Sequence, residues 1–244
     1  MTDLTAPAPF ASPRTLHRIA VVFLSTYALT LISAGISQVF DPFIYYDDYP
    51  ALLLQPELFY AKTLSEGRWI NHFWHLRGVY TPPWFNFQLY LIGWALFLST
   101  AALNIFRTAD IRYPALLSAF LVLSPQTALI SGWFNTLIPG VWLLAVYSIS
   151  ALFLTPAMSR LLLFLFVPLT IQAYTPYPFL LLCIAMMRED QPRSLRDLVN
   201  LTILFAFSFA LGLLIIYSVN YAVHGVFGVS PAGFRNPTPA NSLS

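Results

Sequence analysis

Long apolar runs without a single ionised side chain constrain this chain more than any other feature. Seven windows, residues 19–36, 84–106, 113–130, 137–154, 161–173, 178–187 and 198–223, contain no Asp, Glu, Lys or Arg. Every one of the 12 basic and 10 acidic residues falls outside them. A bilayer core of about 30 Å takes roughly 20 mostly apolar residues per helix, so the pattern predicts an all-α polytopic membrane protein with about seven transmembrane helices. With 9% charged residues and a mean hydropathy of +0.69, a water-soluble domain is excluded, since such domains carry about 25% charged residues. A net charge of +2 gives no basis for nucleic-acid binding by phosphate neutralisation. The one cysteine, Cys183, excludes an internal disulfide framework.

The basic residues set the expected orientation. Arg14 and Arg18 precede the first window, Arg107 and Arg112 follow the second, Arg160 separates the fourth and fifth, and Arg188, Arg193 and Arg196 separate the last two. Lys and Arg at span ends favour the cytoplasm, which puts the N-terminus in and the C-terminus out. Lys62, Arg68, Arg77 and Arg235 then lie outside. The chain divides into a cytoplasmic segment 1–18, a transmembrane domain 19–223 that includes an outer loop 37–83, and a polar outer tail 224–244. A cleaved signal peptide is the competing reading of the first run, because Ser33, Ala34 and Gly35 are small. The short pair of windows around Tyr174 reads as two crossings or as a re-entrant hairpin.

The outer loop 37–83 concentrates the chemistry. Asp41, Asp47, Asp48, Glu57 and Glu66 lie there beside Lys62, Arg68, Arg77, His72 and His75, and connections of this length tend to be functional. Asp47 and Asp48, bracketed by Tyr45, Tyr46 and Tyr49, belong at headgroup depth, where aromatic rings collect. Partial desolvation makes a carboxylate more basic, which suits a general base. The same pair also reads as an N-cap before Pro50, or as oxygen ligands for a divalent cation. Residues 51–69 alternate apolar and polar positions at helical spacing, predicting a helix in the interface plane that Gly67 ends. Arg68 and Trp69 follow as a phosphate-binding pair or as interface anchors. His72 and His75 share a face in a helix and form two-thirds of a metal site with no third ligand in view. Further out, Trp133, Asn135, Gln172, Tyr174 and Tyr177 suit sugar contacts or an aromatic belt. The Phe- and Leu-rich runs 161–166 and 205–209 suit a lipid groove or ordinary helix packing.

The string Tyr46-Asp47-Asp48-Tyr49, followed by Glu66-Gly67-Arg68-Trp69 in the first outer loop, resembles the bacterial GtrII-type glucosyltransferases, membrane enzymes of the GT-C fold. Gln172-Ala-Tyr-Thr-Pro-Tyr177 resembles a further segment of that family. The resemblance covers an N-terminal portion, since family members are usually longer. It implies transfer of a hexose, usually glucose, from a polyprenyl-phosphate donor to an envelope glycan such as O-antigen, on the outer face of the bacterial inner membrane. Carried onto this chain, Asp47 and Asp48 are the catalytic carboxylates. Arg68 is the phosphate partner that the resemblance implies; by their own chemistry Arg77, His72 and Lys62 are further phosphate partners in the same loop, and with Trp69 and Tyr174 they make up the expected substrate-binding set. A non-catalytic subunit or flippase of glycan export, and a truncated inactive transferase, are the alternatives; the absence of charge inside the spans argues against an ion-coupled carrier.

Overall fold

The computed structural model describes residues 13–35, 56–76, 79, 81–107, 110–190 and 194–230. Among these residues every regular element is helical. Helix α1, Pro13–Thr30, runs on into a π turn at Leu31–Gly35. Two short helices follow, α2 at Pro56–Glu66 and α3 at Trp69–His75. The bundle continues with α4 at Pro83–Ile105, α5 at Arg112–Val122, α6 at Pro125–Ile130, α7 at Phe134–Phe153, α8 at Pro156–Ala173, α9 at Tyr177–Met187 and α10 at Leu195–His224.

Proline and hydroxyl residues mark where these helices start. Pro83, Pro125 and Pro156 sit in first turns, where the missing N–H costs nothing. The Ser124, Thr155 and Ser194 hydroxyls accept from the backbone N–H groups of Thr127, Met158 and Asp197. At the far end of α10, Gly225 takes the left-handed cap at φ +71°.

Among the described residues, five segments are long and apolar enough to cross a membrane: 14–33, 83–105, 125–153, 156–173 and 195–224. The expected window 113–130 is divided instead. It breaks at Ser124-Pro125, and α6 feeds through a 3-10 turn at Ser131–Trp133 into α7. Helices α5 and α9 have 11 residues each, about 16 Å at 1.5 Å per residue and roughly half the bilayer core.

The core lies between α4 and α7, against which α8 and α9 pack: Tyr90, Leu91, Ile138, Val141, Leu144, Leu163, Val167 and Leu181 are all buried. Because lipid tails supply no hydrophobic drive between helices, close approach and polar ties matter more. Gly140 supplies the first; a Cβ there would lie 2.5 Å from Cε2 of Tyr177. The ties run the length of the pair. The Asn86 amide donates to Asn135 Oδ1 at 2.9 Å, the Thr100 hydroxyl to Ser148 Oγ at 2.9 Å, and the Asn104 amide to the Ser148 carbonyl at 2.9 Å. One end of the bundle gathers arginines: Arg18 donates to the carbonyls of Phe106 and Arg107, Arg107 to that of Leu152, and Arg188 to that of Leu154. The opposite end carries α2, α3 and Tyr174.

Candidate functional site

Helices α2 and α3 form an elbow over the ends of α7, α8 and α10. The elbow turns at Gly67, whose φ of +71° a side chain adopts only with strain. Its surroundings forbid a side chain as well, because a Cβ would lie 2.6 Å from Cγ2 of Ile216 on α10. Two buried donors fasten α3: Asn71 Nδ2 reaches the carbonyl of Ala173 at 2.8 Å, and the Trp69 indole N–H reaches Asn220 Oδ1 at 2.8 Å.

This anchoring fixes Arg68. Its side chain is 15% exposed and its Nε lies 2.6 Å from a carboxylate oxygen of Glu66, itself 11% exposed. The guanidinium carbon sits 5.3 Å from the centre of the Tyr174 ring, within cation–π range. Tyr174 caps α8 in an extended conformation and its ring meets Tyr177 edge-on, with centroids 5.1 Å apart. Arg68, Trp133, Thr136, Leu137 and Tyr174 enclose a cavity of about 200 Å³. Tyr174 also borders a second, larger space of about 490 Å³, an apolar groove between α4, α5 and α9 walled by Trp94, Phe97, Leu121, Leu180 and Ile184. A cationic pocket and an apolar groove thus meet at one tyrosine.

The other expected site residues fall into three groups. Asp47, Asp48 and Arg77 lie outside the described residues. Trp69 is 4% exposed, with its indole bonded to Asn220, so it braces Arg68 and presents no face to the cavity. Lys62 and His72 line neither space: the Lys62 ammonium lies 5.3 Å from the Phe59 ring, and His72 is buried among Tyr60, Trp69 and Phe73. Burial pushes the His72 pKa below its ordinary 6.5, and the neighbouring His224 pushes it the same way. His75 has a different aromatic neighbour. It stacks on Phe59 at 3.6 Å between centroids, and among the described residues no three His, Cys, Asp or Glu side chains gather as a metal site.

Of the more distant candidates, Trp133 and Tyr174 reach the cavity. Asn135 is buried and bonded to Asn86, Gln172 donates to the carbonyl of Pro168 at 2.8 Å, and Tyr177 is buried. The run 205–209 is a packing surface, with Phe205 and Phe209 against Phe179, and Phe164 meets Phe207; the apolar groove lies elsewhere. Sequence reasoning passed over Asn220 and His224. His224 donates through Nε2 to Thr63 Oγ1 at 2.8 Å, because that hydroxyl already donates to the Tyr60 carbonyl. Two polar residues in the last two turns of an apolar helix were the available signal.

Set against known proteins, the chain matches no family model, no curated protein and no solved structure.

Proposed function

We propose that this chain is a polytopic membrane glycosyltransferase of GT-C-like architecture, which moves a hexose from a polyprenyl-phosphate donor to an envelope glycan on the outer face of the bacterial inner membrane. The observation that carries this reading is the junction at Tyr174 between the Arg68 cavity and the apolar groove. An amphiphile with an anionic head and a long apolar tail fits such a pair of spaces, and a free sugar nucleotide does not. Glu66 holds Arg68 through Nε. The two terminal amino groups of its planar fork are the edge an incoming phosphate would take.

In this mechanism the bond between the anomeric carbon and the donor phosphate breaks, and the phosphate leaves carrying the bonding electrons. Arg68 stabilises that growing negative charge, an interaction stronger in the transition state than before it. The acceptor hydroxyl oxygen forms the new bond, and its proton passes to a carboxylate. Asp47 and Asp48, in the segment leading to α2, are the candidates for that base. The topology proposed with this function has seven crossings, counting α5–α6 and α9 as passes, with the N-terminus in and the C-terminus out. Arg18, Arg107 and Arg188 then share the cytoplasmic end.

The test is the mass of envelope polysaccharide from a strain lacking the gene, complemented with wild type, Arg68→Ala or Asp48→Asn at matched membrane levels. Wild type should restore a hexose increment, and Arg68→Ala should lower it by about a hundredfold, the scale of losing one aligned transition-state donor. Full restoration by Arg68→Ala would overturn the site, and no increment from well-inserted wild type would overturn the activity.

A further inference from the structure

At the end opposite Arg68, a cavity of about 150 Å³ opens between the start of α1 and the ends of α4 and α7. Arg18, Arg107 and Thr15 give it a polar side; Ile19, Leu103 and Leu152 give it an apolar one. Backbone carbonyls hold both guanidinium groups in place. Arg18 Nη1 donates to the Arg107 carbonyl at 2.7 Å, and Arg107 Nη2 donates to that of Leu152 at 2.9 Å.

Arginines and acids crowd together here, with Asp110 close enough to Arg18 to feel its charge and Asp190 and Glu189 beside Arg107. Asp190 is shared, lying 2.5 Å from Arg188 Nε and 3.3 Å from Arg107 Nη1. The Arg107 pKa is pushed down by burial first and then by Arg188, despite the opposing pull of Asp190 and Glu189. A further anion would relieve that repulsion, and the cavity lies where membrane-crossing helices end. One side of it is α1, which is largely uncovered by protein and exposes Leu16 and Leu24.

We propose that the Arg18–Arg107 cavity binds the phosphate of an anionic phospholipid such as phosphatidylglycerol, with its acyl chains laid along α1. Basic pockets between helices at a membrane surface recognise lipid head groups in this way. A free inorganic anion would use the same guanidinium groups but would leave the apolar wall unused. This site is independent of the proposed glycosyl transfer.

The experiment is native mass spectrometry of the full chain released from detergent, with phosphatidylglycerol, phosphatidylcholine and inorganic phosphate as separate probes. Phosphatidylglycerol should be retained in preference to phosphatidylcholine, and inorganic phosphate should not be retained. Arg18→Gln should weaken phosphatidylglycerol retention about tenfold, as expected for loss of charge-assisted hydrogen bonds. Ile19→Trp keeps both arginines while filling the cavity, and should weaken retention to a similar degree even if Arg18→Gln fails to fold. Arg196→Gln, at an exposed arginine in the first turn of α10, should change nothing. Equal retention of the two lipids, retention of inorganic phosphate, unchanged binding in Ile19→Trp, or an equal loss in Arg196→Gln would each overturn the proposal.

Discussion

Arg68 owes its position to groups far away in sequence. Glu66 is two residues off, but Tyr174 belongs to α8, and the brace through Trp69 ends on Asn220, 151 residues along the chain. Arg68→Lys should therefore behave nearly as badly as Arg68→Ala in the glycan assay, because an ammonium cannot meet Glu66 and an anion with one planar fork. His72 gives a second prediction. Its pKa is lowered in the fold, so between the folded value and the ordinary 6.5 the unfolded chain holds more protons and stability falls as pH drops. The protection of amides in residues 69–76, meaning exchange corrected for its intrinsic pH dependence, should fall below about pH 6.5, and His72→Phe should flatten that dependence. A dependence that survives the substitution would assign it to another group. Arg68 and Tyr174 were legible in sequence as a cation and an aromatic at outer turns. The bracing role of Trp69 was not, since nothing in the order of residues announces Asn220.

The elbow between α2 and α3 depends on one glycine. Gly67→Ala meets two penalties: the left-handed backbone, at about 1–2 kcal/mol, and the approach to Ile216 at 2.6 Å. The double variant with Ile216→Ala should recover the steric part and not the conformational part. Thermal unfolding in detergent with a probe on α3 would separate them; full rescue would mean that the φ of +71° carries little strain. The break at Gly67 and the helix before it were readable from turn chemistry and periodicity. The division of 113–130 was missed even though Ser124-Pro125 carries a cap signal, because an apolar run gives no register change when a helix stops and restarts within it.

At the scale of the whole molecule, the charged side chains among the described residues sort to the ends and polar ties join the middle. Arg188 is the extreme case, with a side chain 0% exposed that holds Asp190 and the Leu154 carbonyl and so fastens the end of α9 to the end of α7. Arg188→Met should cost about 3 kcal/mol in detergent unfolding, as removal of one partner strands the rest of a buried polar cluster. A loss no larger than that of an exposed arginine such as Arg112 would show that water reaches the cluster. Helical class, membrane character and the gathering of basic residues followed from where charge is missing. The pairing of α4 with α7 did not, because Asn86, Thr100 and Asn104 look alike in sequence whether they face lipid or each other. Finally, α10 has 30 residues and is about 45 Å long, well beyond the roughly 30 Å thickness of a bilayer's hydrocarbon core. Its last turns carry Ile216, Asn220 and His224, the same residues on which the elbow rests. The height of Arg68 therefore follows that rod, and in a bilayer of longer acyl chains a helix of this length would be drawn in or change its tilt, carrying the elbow with it.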